Sequence, residues 1–424
     1  MSFLRHPLIM LLQTLRITRP GCASRILQLL QSHRPTFHGS DRSIASHWPA
    51  SIIGRLERRI SRLKAFHHKL HWPATSCFQA FGQNHVLPIA RTSGQDICVM
   101  SSAELRYAAG FFDGDGCVAP TGSRSGSQVW INQSSAHGEA LLLFHRAFGG
   151  SIRLSRQGQG SKHAIIKWRV SGSSAQNAAA ALCQESLVKK QQLQIAANWP
   201  SCKAEREELA IRMTELKHTS HDLSGFICSW SYVAGYFDAK GHVHISPTLS
   251  LQLSLSQKVE GVLKAILYFF EQECPGNGKG VALYKLSNCS RLQVSRNEVC
   301  KFILQRMLAS GLQVKRLSAE LALAAECKES RASARTALAS LVGNQGRYLR
   351  LDLEGCHRAT HILNMQSSIF YQSSRGRLEK VIMLQRGVEQ LKKEHALQTS
   401  QSRYQLLRHD IRSKLSNGTA ILRS

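Results

Sequence analysis

Across residues 250–257 the chain alternates. Leu251, Leu253 and Leu255 point one way, and Ser250, Gln252, Ser254 and Ser256 the other. This is the period-two signature of a strand with one buried face. The same alternation sets Val129 and Ile131 against Gln128, Trp130 and Asn132. It sets Ile166, Trp168 and Val170 against Lys167 and Arg169, Leu292 and Val294 against Arg291, Gln293 and Ser295, and Ile152 and Leu154 against Arg153. Apolar 3–4 spacing, by contrast, predicts helices in "EALLLFHRAFGG" and "VEGVLKAILYFFEQE", ended by Gly149-Gly150 and by Pro275-Gly276.

These elements come in two matching sets. Gly110 and Gly235 serve as origins. Gln133 follows the first at 23 residues and Gln257 the second at 22. "KWRVS" ends 61 residues on, at Ser171, and "RLQVS" 60 on, at Ser295. A Val-Lys pair opens a helix at 78 (Val188) and at 79 (Val314). Four features in one order, with offsets agreeing within a residue, define a unit of about a hundred residues that occurs twice. In each unit the pattern predicts a helix, two strands (117–121 with 128–134; 242–247 with 250–257), a helix, two more strands (151–156 with 164–171; 281–287 with 291–295) and two closing helices. The fold class is α+β: two pseudo-symmetric αββαββα repeats, each a four-stranded antiparallel sheet with helices on one face. The division is 1–100 extension, 101–199 first repeat, 200–228 linker with the charged helix "KAEREELAIRMTELKH", 229–327 second repeat, and 328–424 a helical basic C-terminal extension. In that extension "RLEKVIMLQRGVEQLKKEH" and "YQLLRHDIRSKL" read as two short amphipathic helices.

Charge changes the picture most. Lys and Arg number 55 against 27 Asp and Glu, a formal net charge of +28. That excess points to a polyanion, nucleic acid before an anionic membrane. Each sheet keeps one face of Arg, Lys, Gln, Asn and Ser, the groups that bond base edges and phosphates. The candidate DNA-contacting residues are therefore Gln128, Trp130, Asn132, Arg153, Lys167, Arg169, Gln252, Ser254, Lys258, Lys285, Arg291 and Gln293; a plain solvated face is the alternative. No run of 18 apolar residues predicts a membrane span, and the twelve cysteines form no zinc pattern. His242 and His244 alternate along a strand but lack further ligands. No GxxxxGK[ST] phosphate loop is present. The first acid is Asp41, after Arg5, Arg16, Arg19, Arg25 and Arg34 set among leucines. Such a segment reads as an organelle transit peptide, mitochondrial or alternatively plastid, with a disordered basic tail as the other reading.

The first helix of each unit carries an unusual sequence: "AAGFFDGDG" at 108–116 and "VAGYFDAKG" at 233–241. Ala109, Gly110 and Gly114 in one, and Ala234, Gly235 and Ala239 in the other, are small where helices prefer bulk. Each interior glycine costs up to about 1 kcal/mol relative to alanine. The spacing makes sense if the two helices pack closely on a twofold axis. Residues 115 and 240 then meet at the C-terminal tips. Two carboxylates there would repel each other and face the negative end of both dipoles, so they would need cations.

These two nonamers, with the matched elements after them, resemble the motifs of LAGLIDADG homing endonucleases over about residues 103–327. The resemblance implies a single-chain monomer with an internal pseudo-twofold, whose β-saddle lies in successive major grooves of a long double-stranded DNA site. It implies Mg²⁺ and cleavage of both strands. By position, Asp115 matches the metal-binding acid, and Gln133 and Gln257 match the polar residues that order the active-site water. Asp113 and Asp238 match the motif's other acid, read as structural. The departure is Lys240, where the family has an acid. An ammonium cannot ligate a metal, yet it suits a helix C-terminus and can pair with Asp115. The expectation is an endonuclease-like DNA binder with cleavage weakened or reduced to nicking, with Mg²⁺ held at one site if at all. The alternative is a non-catalytic sequence-specific binder, such as a maturase acting on intron RNA.

Overall fold

The computed structural model describes residues 50–71, 73–90, 99–123, 125–160, 162–217, 228–341, 351–416, 418 and 421–422. The first unit opens with α2 (Ser102–Asp115), started by a capping box. The Ser101 side chain accepts from the Glu104 amide, and the Glu104 carboxylate accepts from the Ser101 amide. β4 (Gly116–Pro120), β5 (Ser127–Ser134), α3 (Glu139–Phe148), β6 (Ser151–Arg156), β7 (Ile165–Ser171), α4 (Ser173–Glu185) and α5 (Lys190–Ala197) follow. After the linker helix α6 (Lys203–Glu215), the second unit repeats the plan. It runs α7 (Trp230–Lys240), β8 (Gly241–Ile245), β9 (Leu251–Gln257), α8 (Gly261–Glu273), β10 (Val281–Lys285), β11 (Ser290–Val294), α9 (Asn297–Ala309) and α10 (Arg316–Leu323).

Both sheets are four-stranded and antiparallel, in the orders β4-β5-β7-β6 and β8-β9-β11-β10. First-repeat strand pairs and their second-repeat counterparts therefore match one for one. The predicted strands are displaced by one or two residues at their ends. α7 begins at Trp230 rather than Val233, because the Ser229 side chain accepts from the Tyr232 amide and starts the helix earlier. The apolar halves of the alternating strands are buried: Val129, Ile131, Ile166, Trp168, Leu251, Leu253, Leu255, Leu292 and Val294. They join Phe111, Phe112, Phe144, Tyr236 and Ile266 in one core that spans both units. In the first unit Phe144 packs on Trp168 with ring centroids 5.0 Å apart, and the indole donates to the Gly149 carbonyl at 2.8 Å.

The terminal regions differ from expectation. Residues 1–49 of the predicted extension lie outside the described residues, so its targeting role has no structural counterpart here. Residues 50–71 and 73–90, placed by the sequence in a targeting or disordered extension, are folded. They form α1 (Ala50–His68), β1 (Leu70–His71) and a hairpin of β2 (Cys77–Ala80) and β3 (Gln83–Val86). The hairpin is tied to the first unit. Gln79 donates to the Ser135 carbonyl at 2.8 Å, Gly138 donates back to Gln79 at 2.8 Å, and Phe78 is buried beside Gly138. At the other end, α11 (Lys328–Leu341) and α12 (Leu353–Ser373) precede α13 (Leu378–Ser416), one unbroken 39-residue helix where two short ones were predicted. The polar stretch around Ser400 hid the join. Ser400 is buried because its hydroxyl donates to Glu57 Oε1 on α1 at 2.5 Å. Leu63, Leu70, Leu407 and Ile411 close a small core between α1 and α13, and β12 (Ile421–Leu422) pairs with β1.

Candidate nucleic-acid interface and helix-tip site

α2 and α7 pack along each other, and each glycine admits the other helix's backbone. A Cβ on Gly110 would lie on the Tyr232 carbonyl, and one on Gly235 would lie on the Tyr107 carbonyl. A Cβ on Gly114 would run into Ala239. Ala109 and Ala234 are fully buried. The six small residues thus lie in or beside the helix interface, and the reciprocal glycine contacts are those of a local twofold.

The hydrogen bonds cross the same axis. Tyr107 Oη donates to Asp238 Oδ2 at 2.7 Å, and Tyr232 Oη donates to Asp113 Oδ2 at 2.7 Å. Each aspartate also receives the free amides at the start of a helix. Asp113 accepts from the Leu187, Val188 and Lys189 amides at 2.6, 3.0 and 3.0 Å and from the Ser186 hydroxyl at 2.5 Å. Asp238 accepts from the Gln313, Val314 and Lys315 amides at 2.7, 3.0 and 2.7 Å. α5 and α10 have no cap of their own, so these carboxylates supply it at the positive dipole end. Asp113 and Asp238 are buried to 0% and 2% exposure, so the two motif acids hold the fold together rather than facing a substrate.

At the helix tips the two copies differ. Lys240 Nζ lies 2.9 Å from Asp115 Oδ1, and Gln133 Nε2 donates to Asp115 Oδ2 at 2.7 Å. Both carboxylate oxygens are therefore engaged by donors from the protein. Gln257 does not mirror Gln133: its side-chain oxygen accepts from the Lys258 amide at 3.1 Å, and at the position of Asp115 in its own unit stands Lys240. Two further lysines, which the sequence pattern did not single out, underlie the tips. Lys189 Nζ donates to the Phe112 carbonyl at 2.9 Å and to the Asp113 carbonyl, and Lys315 Nζ donates to the Asp238 carbonyl. They cap the carbonyl ends of α2 and α7. Burial pushes the Lys189 ammonium down to about 8, against the attraction of Asp113, and pushes Lys315 down against that of Asp238. The signal that could have found them was in the repeat itself: each is the basic residue directly after the matched Val188 and Val314.

The polar faces hold the remaining predicted residues. On the first sheet Asn132 pairs across with Lys167, Lys167 with Arg153, and Trp130 with Arg169. Lys167 Nζ sits 5.5 Å from the Trp130 ring centroid. Arg153, Arg169 and Asn132 are exposed, while Gln128 spends its amide on the Pro120 carbonyl at 2.9 Å. On the second sheet Gln293 lies opposite Ser254, and exposed Arg291 lies opposite Ser256, to whose hydroxyl its Nε donates at 3.4 Å. Lys258 and Lys285 are exposed at strand ends, and Gln252 faces His244 across the β8–β9 pair. His242 and His244 stack at 5.9 Å on this face. Among the described residues no group of three His, Cys, Asp or Glu is placed to hold a metal ion, and no helix is long and apolar enough to cross a membrane.

No family model matches the chain, and no curated protein matches it. Solved structures do. One is "LAGLIDADG Meganuclease I-AabMI Bound to Uncleaved DNA", at 16% identity and a TM-score of 0.41, covering 56% of this chain and 99% of that one. Another is "Meganuclease I-SmaMI Bound to Uncleaveable DNA with a TTGT Central Four", at 14% identity and a TM-score of 0.41, covering 60% and 100%. A third is the "I-LtrWI LAGLIDADG homing endonuclease bound to target DNA", at 12% and 0.39, covering 56% and 94%. The chain is similar to LAGLIDADG homing endonucleases. At its own helix tips it carries the Lys240–Asp115 pair.

Proposed function

We propose that this protein binds a long double-stranded DNA site through the major groove with the polar faces of its two sheets, and that its phosphodiester cleavage is weakened to nicking or below. The observation that supports the binding half is the doubled architecture: two sheets of one topology, the first presenting Arg, Lys, Gln and Asn and the second Arg, Lys, Gln and Ser away from the core, joined through one helix pair. Two sheets related by a twofold suit two successive stretches of groove, and their side chains suit base edges and phosphates.

The chemical half turns on the helix tips. A divalent metal needs several oxygen ligands. Here one carboxylate stands at the tips, and Lys240 and Gln133 occupy both its oxygens. The residues present do not fit a resident Mg²⁺, and no cleavage step is derived through one. Lys240 instead places a fixed positive charge where two helix C-termini and one carboxylate concentrate negative charge. The same ion pair favours a second reading, a sequence-specific binder with no cleavage, including one that acts on intron RNA as a maturase.

The test is selection of bound sequences from a random duplex pool, then incubation of the winning duplex with Mg²⁺. A defined site spanning more than one helical turn, left intact or nicked on one strand, supports the proposal. Efficient double-strand cutting would overturn its chemical half. No selectable duplex, with tight binding of an intron-containing transcript instead, would favour the RNA reading.

A further inference from the structure

The terminal helices form a second basic surface that the two-sheet core does not require. α1 carries Arg55, Arg58, Arg59, Arg62 and Lys64 against one acid, Glu57. Glu57 is turned toward α13: Oε1 accepts from Ser400 Oγ at 2.5 Å, and Oε2 lies 3.9 Å from Arg403. Ile60 and Leu63 are buried, with Leu63 in the core shared with α13. The four arginines recur at spacings of three and four, so they share another face of the helix, and all four are exposed. No described acid pairs with Arg58, Arg59 or Arg62. Like charges three and four residues apart repel each other and destabilise a helix. A polyanion laid along that face would turn the repulsion into attraction.

The helix is also fixed in place relative to the first sheet. The turn joining β6 to β7 is held by Gln159 Nε2 donating to the His68 carbonyl at 2.9 Å and by the Gly160 amide donating to Leu70 at 2.8 Å. Lys414 on α13 donates to the Gly160 carbonyl at 2.5 Å, and the Thr75 amide donates to Gln157 at 3.2 Å. β6 and β7 are the strands that carry Arg153, Arg156, Lys167 and Arg169. The end of α1, with β1, Thr75 and α13 that pack around it, is thus attached to the basic edge of the first sheet by four hydrogen bonds.

We propose that the Arg58–Arg59–Arg62 face of α1 is an accessory contact for the phosphate backbone of duplex DNA, extending the bound site on the side of the first repeat. It rests on the DNA-binding reading above. From Arg58 to Arg62 the helix rises about 6 Å, and one DNA strand offers about one phosphate per 3.4 Å of axis. The face therefore matches about two to three phosphates at that spacing. Such contacts add affinity and salt dependence without reading sequence.

The experiment compares the full chain with Arg58→Gln/Arg59→Gln/Arg62→Gln on the duplex selected above. Glutamine keeps helix propensity, and matching thermal melts establish an intact fold. The triple variant should bind more weakly at 50 mM salt, and its slope of log K against log salt should be shallower by about 2–3, at about 0.9 for each phosphate no longer neutralised. Its hydroxyl-radical footprint should shorten on one flank only, with the selected sequence unchanged. The control Arg153→Gln/Arg169→Gln should instead lose discrimination between the selected duplex and a scrambled one. An unchanged slope and footprint in the triple variant, with the control impaired, would overturn the accessory contact and leave the DNA-binding reading standing. A chain that binds no duplex at all would overturn both. A loss seen with structured RNA and not with DNA would overturn the assignment to DNA.

Discussion

Replacing Lys240 with glutamate tests the central claim about the helix tips, that a lysine stands in for a cation. The ion pair to Asp115 is 2.9 Å long, with side-chain exposures of 32% and 23%. At an effective dielectric of about 20, its gross attraction is roughly 6 kcal/mol. Desolvation and side-chain ordering return most of that, leaving roughly 1–2 kcal/mol net for a pair so placed. Lys240→Glu removes this term and sets two carboxylates together at two negative helix ends, a further penalty of similar size. The total, roughly 2–4 kcal/mol, corresponds to a fall in Tm of roughly 6–12 °C at about 3 °C per kcal/mol for a domain pair of this size. The assay is a thermal melt in chelator and again in millimolar Mg²⁺ or Ca²⁺. The glutamate variant should recover most of its loss when the divalent ion is added, because binding to the native state alone stabilises it. The unaltered chain should not respond. Lys240→Met separates the two effects: it should lose roughly 1–2 kcal/mol and stay indifferent to the ion. A glutamate variant as stable as the parent in chelator would refute the claim that the ion pair holds the interface. A parent chain stabilised by Mg²⁺ as strongly as the variant would refute the claim that the lysine replaces a metal.

Three further outcomes follow from the same interface. Gly110→Ala places a methyl on the Tyr232 carbonyl, backbone that cannot yield without moving a helix. Denaturant melts should show a loss of about 2–3 kcal/mol, and a loss under about 0.5 kcal/mol would mean that the helices are less close. Asp113→Asn leaves the amides at the start of α5 facing a partly repulsive amide and disturbs the Tyr232 bond. It should cost about 3 kcal/mol or more, and Tyr232→Phe only about 1–2, since bonds to a charged group are worth about twice those between neutral groups. Lys189 is lowered to about 8 by burial, so between about pH 8 and 10 the unfolded chain holds a proton that the folded one has released. Lys189 therefore contributes a rise in stability with pH across that window, against the opposite contribution of buried thiols such as Cys228, Cys274 and Cys300, which burial pushes up to about 12. The readout is the difference between chains: Lys189→Met should be stabilised relative to the parent most at about pH 8 and progressively less toward about pH 10, and a difference that does not change with pH would contradict the buried position of this lysine.

The fold was legible where side-chain pattern and backbone periodicity report one environment. The alternation of Leu251, Leu253 and Leu255 marks a half-buried strand whatever surrounds it, and the structure buries all three. Gly110 and Gly235 were legible for a stronger reason: small residues inside a helix carry a cost that only close approach explains, and each does admit a partner helix's carbonyl. What the sequence hid depends on distant partners. Residues 50–90 group with the basic extension that Arg5, Arg16, Arg19, Arg25 and Arg34 mark out, because nothing nearby in the sequence shows a partner for their apolar side chains. Leu63 is buried against Leu407 and Ile411, which come from more than 340 residues away. The break expected in α13 had the same origin, since the hydroxyl of Ser400 finds its acceptor on α1. Tyr107 and Tyr232 stand just before the two nonamers, and nothing in the sequence pattern shows that each hydroxyl reaches the other helix's aspartate.

The reciprocal bonds bear on how the two tips can carry opposite charges, Asp115 and Lys240, on one shared fold. The bonds that cross the twofold use Asp113, Asp238 and the two tyrosines, all of them buried. Positions 115 and 240 lie one turn end further on, half-buried, and contribute nothing to capping α5 or α10. A charge reversal there breaks the Lys240–Asp115 pair but leaves both tyrosine–aspartate bonds in place. With a carboxylate at 240, the tips would gather two negative side chains and two negative dipole ends, and Lys189 and Lys315, already bonded to main-chain carbonyls, are poorly placed to neutralise them. A lysine at 240 removes that repulsion with a single substitution and needs no ion. The two roles are therefore separable in this chain: the buried aspartates fix how the two motif helices are joined, and the outer pair can change without disturbing those bonds.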